Sequence, residues 1–199
     1  IDSCKIHSNT TYGIYCGESS PLMTGDSIYD HPSYGMYITG ESNPSIAACD
    51  FNNNTSMNIY VGDSDAAPQV SDCSLRNSSG YPIYLRAHQV SGLSGNSYSG
   101  NTIEKIFVRG SVIEEDASWE NPGIPYEINN ENIYVQGQDG VDGVTVLTIE
   151  PGCELQFVSA LGLTIGHNTN TLYNGGLMAM GHDTCRITFT SNSVSPTSG

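Results

Sequence analysis

The sequence predicts an all-β solenoid, and three observations carry that prediction. Its composition starves helices, its hydrophobic pattern returns at a fixed period, and each repeat is too small to bury a core alone. Gly, Pro, Asn and Ser interrupt the chain at about every 6 to 10 residues, whereas strong helix formers are scarce. The 199 residues suffice for one or two domains with a sizeable core. High net charge can signal disorder, but 37% hydrophobic residues, rich in Ile, Val, Leu and Tyr, are enough to bury one.

Within each repeat the first apolar segment centres on Ile1, Met23, Ile46, Val70 and Leu93, and Pro21, Pro44 and Pro68 introduce three of these. Next comes a column of small or polar residues, Cys4, Asp26, Cys49, Cys73 and Asn96. The second apolar segment centres on Ile6, Ile28, Phe51, Leu75 and Tyr98. After it stands a polar column, Asn9, His31, Asn54, Ser78 and Asn101, suited to a turn because Asn tolerates left-handed backbone and bonds locally. The third segment reads Gly13-Ile14-Tyr15-Cys16, Gly35-Met36-Tyr37-Ile38, Asn58-Ile59-Tyr60-Val61, Pro82-Ile83-Tyr84-Leu85 and Lys105-Ile106-Phe107-Val108, at steps of 22, 23, 24 and 23 residues.

Three short strands per repeat bury their inner faces only when successive coils stack, at a spacing of about 4.8 Å, so that like residues form ladders. A leucine-rich repeat has a similar period, but its Leu and Asn consensus and its helical half are missing. The expected fold is therefore a parallel β-helix of about 22–24 residues per coil. In the second half a period of 22 is read from Ile133, Leu155 and Leu177, and from Val135, Phe157 and Ala179. The same step joins Val141, Leu163 and Cys185, and Gly143, Ile165 and Ile187.

The stretch Leu147 to Gly152, with Leu155-Gln156-Phe157, Gly162 to Gly166, Gly176 to Ala179, Gly181 and Ile187 to Ser191, resembles the opening coils of right-handed parallel β-helix repeat proteins. Trp119 and Gly123-Ile124-Pro125-Tyr126 match the pattern that precedes those coils, and residues 1–110 are similar to later coils of the same family. The resemblance implies right-handed winding and a bacterial protein that is secreted or held at the cell surface. It names a scaffold that hosts lyases, hydrolases, adhesins and fibres alike. Later coils precede opening ones, so residues 1–112 read as the end of one module, 113–132 as a connector between modules and 133–199 as the start of a second. A unit of a longer array, or a subunit stacked end to end on copies of itself, is expected.

The 21 Asp and Glu against 6 Lys and Arg give a net charge of −15, which repels phosphate backbones and anionic lipid. Nucleic acid is not an expected partner, and no apolar run approaches the roughly 20 residues of a membrane span. Cys4, Cys49 and Cys73 fall in one inward column and Cys16 in another, positions suited to small buried thiols. A bridge between Cys49 and Cys73 would suit adjacent coils but not the disulfide dihedral. Acceptor sequons place candidate glycosylation at Asn9, Asn53, Asn54 and Asn77, all at or beside one turn column.

Tyr15, Tyr37, Tyr60, Tyr84 and Phe107 lie between inward columns, so they should form an outward aromatic ladder. Such a strip can bind a polysaccharide, or can simply stabilise the solenoid by about 0.2–1 kcal/mol per cross-strand pair. Arg86 and Arg109 are the nearest approach to a lyase base, and Asp63 with Asp65, or Glu114, Glu115 and Asp116, to a hydrolase pair. Each reads first as surface charge, and no catalytic residue is assigned. Asp139 and Asp142, in a glycine turn, are candidate calcium ligands, with a plain turn as the alternative and no other cofactor expected. The expected function is a non-enzymatic extracellular structural or adhesive solenoid. The alternative is a polysaccharide lyase or hydrolase whose active coils lie partly elsewhere.

Overall fold

A computed structural model of the chain describes residues 1–137, 143–167 and 173–193. Two compact units divide it, Ile1–Leu85 with Gly92–Ile106, and Arg86–Ser91 with Phe107–Gly199. In the first unit the strands are β1 (Lys5–His7), β2 (Ile14–Gly17), β3 (Leu22–Thr24), β4 (Ser27–Tyr29), β5 (Tyr34–Thr39), β6 (Ser45–Ala47) and β7 (Asp50–Asn52). They continue as β8 (Met57–Val61), β9 (Gln69–Ser71), β10 (Ser74–Arg76), β11 (Ile83–Arg86), β12 (Leu93–Ser94) and β13 (Ser97–Ser99). Every third strand pairs in parallel, giving the sheets β1-β4-β7-β10-β13, β2-β5-β8-β11 and β3-β6-β9-β12.

The first-unit register is the one the repeat predicts. Ile6 pairs with Ile28, Ile28 with Phe51, Phe51 with Leu75 and Leu75 with Tyr98. Ile14, Met36, Ile59 and Ile83 align likewise, as do Met23, Ile46, Val70 and Leu93. Alternation along each strand sends these side chains inward, where Met23, Ile28, Met36, Ile46, Phe51, Ile59 and Leu75 are fully buried. Each such side chain is worth about 1.5–3 kcal/mol relative to exposure.

Single left-handed residues make the corners. Ser8, Asp30, Asn53, Asn77 and Gly100 have φ between 54° and 68°. That conformation costs little in Gly or Asn and swings the next side chain into the coil. The column predicted as turn residues is therefore one position inside the turn: His31, Asn54, Ser78 and Asn101 are buried, and only Asn9 is exposed. They form a ladder in which His31 Nδ1 accepts from Asn9 N–H (3.2 Å), Asn54 Oδ1 from His31 N–H (3.3 Å) and Asn101 Oδ1 from Ser78 N–H (3.0 Å). Asn58 joins from the next segment, accepting from Asn54 Nδ2 at 2.8 Å.

A second left-handed column, Ser3, Gly25, Ala48, Asp72 and Gly95, precedes the Cys column in the same way. Asp26 Oδ1 accepts from Cys4 N–H at 2.8 Å, Cys73 Sγ from Cys49 N–H at 3.3 Å and Asn96 Oδ1 from Cys73 N–H at 2.9 Å. The hydrogen bond shared with Cys49, and then burial, push the Cys73 thiol upward, so it packs as a neutral group. All six cysteines are free thiols.

Strand β14 (Ile106–Arg109) leads into the second unit. Its strands are β15 (Val112–Ile113), β16 (Ala117–Trp119), β17 (Tyr126–Asn129), β18 (Ile133–Val135), β19 (Thr145–Ile149), β20 (Glu154–Phe157), β21 (Leu163–Ile165), β22 (Gly175–Ala179) and β23 (Thr188–Ser191). They pair as β15-β18-β21, β16-β19-β22 and β17-β20-β23, three coils of three strands. Here the predicted period of 22 holds where Val112 pairs with Tyr134 and fails at the later pairings. Ala117 pairs with Leu147 and Leu147 with Leu177, each 30 residues on, while Tyr126 pairs with Leu155, 29 on, and Leu155 with Phe189, 34 on. Ile133, Leu155 and Leu177 lie in three different sheets, so a step of 22 passes from one face to another and falls short of a full turn. Nor are residues 113–132 a connector. They supply β16 and β17, and Trp119 and Tyr126 pack together inside that coil with centroids 5.1 Å apart.

Candidate functional site

The tyrosine face lies on the sheet β2-β5-β8-β11 of the first unit. Register stacks Tyr15 on Tyr37, Tyr37 on Tyr60 and Tyr60 on Tyr84, all pointing outward between the buried positions of their strands. Tyr15 is 62% exposed, and Tyr37, Tyr60 and Tyr84 are half-buried. The predicted fifth member, Phe107, is half-buried on β14 and belongs to the second unit.

Two members escape the sequence reading. Tyr12 and Tyr34 stand three residues ahead of Tyr15 and Tyr37, which strict alternation would place on the opposite face. In β5 the burial order is Tyr34 out, Gly35 and Met36 both in, Tyr37 out, and β8 repeats it from Met57 to Tyr60. A Cβ at Gly35 would sit 2.6 Å from Asn58 O and 2.7 Å from Asn54 Nδ2, so the break in the pleat brings this backbone against the polar ladder, where only glycine fits. The 22-residue step from Tyr12 to Tyr34 is the signal that could have found them.

Ring geometry sorts the six tyrosines. Tyr34 and Tyr60 stack with centroids 4.7 Å apart at 10°, and Tyr60 and Tyr84 at 4.7 Å and 23°. Tyr12 extends the stack to Tyr34 at 5.7 Å and 6°. Tyr37 stands nearly perpendicular, at 87° to Tyr15 and 67° to Tyr60. Its ring lies over Gly62 of the next coil, where a Cβ would come within 2.7 Å, and Tyr15 lies over Gly17 at 2.8 Å. The glycines thus keep room for the rings. Burial, followed by neighbouring Tyr12 and Tyr37, raises the Tyr34 phenol above its ordinary range, so it stays protonated.

The other predicted residues are not drawn together. Arg109 forms an ion pair with Glu131, whose carboxyl it holds below the usual range, first by hydrogen bonding. Asp63 Oδ1 accepts from Asp65 N–H at 3.3 Å within one exposed loop, and Asp116 Oδ1 accepts from Val146 N–H at 2.7 Å. Asn53 Nδ2 donates to Asp30 Oδ1 at 2.6 Å and Asn77 Nδ2 to Asn52 Oδ1 at 2.8 Å, both at the surface, where Asn9 also lies. Asn54 is corrected as a glycosylation acceptor. Its side chain is fully buried, and Nδ2 donates to Ile28 O and Asn58 Oδ1, leaving no room for a glycan. Asp139 and Asp142 lie outside the described residues. Among the described residues, no three His, Cys, Asp or Glu side chains group to hold a metal, and no helix is long and apolar enough to cross a membrane.

Comparison with family models matches residues 1–121 to one described as right handed beta helix region. Comparisons with curated proteins and with solved structures find no match.

Proposed function

The chain belongs to the right-handed β-helix family, and we propose that it works as a non-enzymatic scaffold, outside the cell or at its surface, whose tyrosine face contacts a polysaccharide. The observation that carries this reading is six tyrosines gathered on one face and held by one another. Rings already fixed lose little rotamer freedom on contact, and their apolar faces and hydroxyl edges suit a sugar. Four carboxylates on the segments that leave β2, β5 and β8, Glu18, Glu41, Asp63 and Asp65, make an uncharged glycan a better fit than a polyuronate.

A further coil, from a copy of the chain or from more of the same protein, is the second expected contact. The inward positions of the last described coil, Ile165, Leu177 and Phe189, are 39%, 40% and 44% exposed, and a further rung stacked there would cover them. Sedimentation velocity at rising concentration checks this, with Leu177→Asp expected to abolish any self-association.

Affinity electrophoresis through gels of neutral and uronate polysaccharides tests the glycan contact. Tyr37→Ala and Tyr60→Ala should each lower retention by neutral glycan roughly tenfold, about 1.4 kcal/mol, with the circular dichroism spectrum kept. Cleavage of a polyuronate that disappears in Arg86→Ala would instead establish the lyase alternative.

A further inference from the structure

We propose that the tyrosine face is a site of oxidative modification, at which Tyr60 couples to Tyr34 or to Tyr84 as dityrosine and so joins neighbouring coils covalently. The site does not depend on glycan binding.

Coupling needs two phenol rings held close and open to an oxidant. Tyr60 meets both conditions on both sides: Tyr34 and Tyr84 each stack on it at 4.7 Å, and all three rings are half-buried at the surface. Register holds the backbones one strand spacing apart, with Tyr60 directly opposite Tyr84 and Tyr34 opposite Met57. Bond formation then turns each ring about its own side-chain bonds and leaves the strand pairing in place.

The oxidant is hydrogen peroxide acting through a haem peroxidase. Each phenol gives one electron to the peroxidase and its O–H proton to water. The unpaired spin is shared between the oxygen and the ring carbons ortho to it. A carbon–carbon bond forms between ortho carbons of the two rings, each of those carbons then loses its hydrogen as a proton, and each oxygen regains one. In total two phenols lose two electrons and two protons, and one peroxide takes up both to become two waters.

Coupling between copies requires collision, whereas here the partner ring is already in place, which raises its effective concentration greatly. The intact protein, treated with peroxidase and limiting peroxide at high dilution, should lose the mass of two hydrogens. It should gain dityrosine fluorescence and yield a joined peptide pair containing Tyr60. Tyr60→Phe keeps the ring and should lower the yield at least about tenfold, because it removes the partner shared by both pairs. Tyr98→Phe should leave the yield unchanged. Should Tyr60→Phe fail to fold by circular dichroism, the double variant Tyr34→Phe with Tyr84→Phe must show the same loss. Dityrosine found only in covalent dimers that increase with protein concentration, an undiminished yield in Tyr60→Phe, or no mass loss at all would overturn the proposal.

Discussion

The first unit closes each coil in 22 to 24 residues, and the second, after one step of 22 from Val112 to Tyr134, takes 29 to 34. The difference lies in what fills the corners. First-unit corners use one left-handed residue followed by an inward polar side chain, and these side chains hydrogen-bond from coil to coil. In the second unit the largest buried side chains are Trp119 and Tyr126, and the Tyr126 hydroxyl donates to Glu120 O at 2.7 Å. A short coil is thus possible where a polar ladder satisfies the turning backbone from inside, and a longer one encloses larger aromatic groups.

The largest effect should separate sealed from open rungs. Phe51→Ala, in a fully buried ladder, should cost about 3–5 kcal/mol by chemical denaturation, whereas Leu177→Ala, on a half-exposed rung, should cost under about 1 kcal/mol. Equal costs would mean that Leu177 is covered in solution. Next comes the polar ladder. Asn54→Leu strands the His31 N–H and Asn58 Oδ1 inside the coil and should cost about 2–3 kcal/mol, although Leu is similar in size and more apolar.

A smaller effect depends on pH. Burial, the largest cause, lowers the His31 pKa below 6.5, and its neutral ring accepts at Nδ1 from Asn9 N–H while Nε2–H donates to Ile6 O at 3.2 Å. Because the folded value lies below the unfolded one, the contribution is fully present above pH 6.5 and is lost as pH falls through the folded value. His31→Asn offers an acceptor and a donor of the ladder's own kind, so its stability between pH 7 and 5 should be flatter than that of the parent chain. The smallest effect is at the surface, where Arg76 Nε and Nη2 grip the Asp50 carboxylate at 2.8 Å each. Both side chains are half-exposed, so Asp50→Asn should cost under about 1 kcal/mol and less in high salt.

Much of the first unit was legible because its ladders repeat residue types at one step, and stacking in register is the only way those apolar columns can be buried together. The second unit was misread for a physical reason. Short strands with glycine-marked corners recur around a coil as well as along its axis, so a step from one sheet to the next imitates a full turn, as from Ile133 to Leu155. Within the site, Tyr15, Tyr37, Tyr60 and Tyr84 followed from alternation. Tyr12 and Tyr34 did not, because the pleat breaks at Gly35 and Met36, beside a buried ladder that alternation alone does not reveal.

By itself the sequence determined the solenoid, its three strands per coil and the outward tyrosine column, since period and alternation decide which residues must be covered. Tertiary structure alone decided that the Asn column lies inside, that the later coils of the second unit are longer, and that the tyrosines divide into a stack and a crossing ring. Those outcomes depend on single φ values, on which strand meets which, and on the room left above Gly17 and Gly62, and none of these is written in residue type.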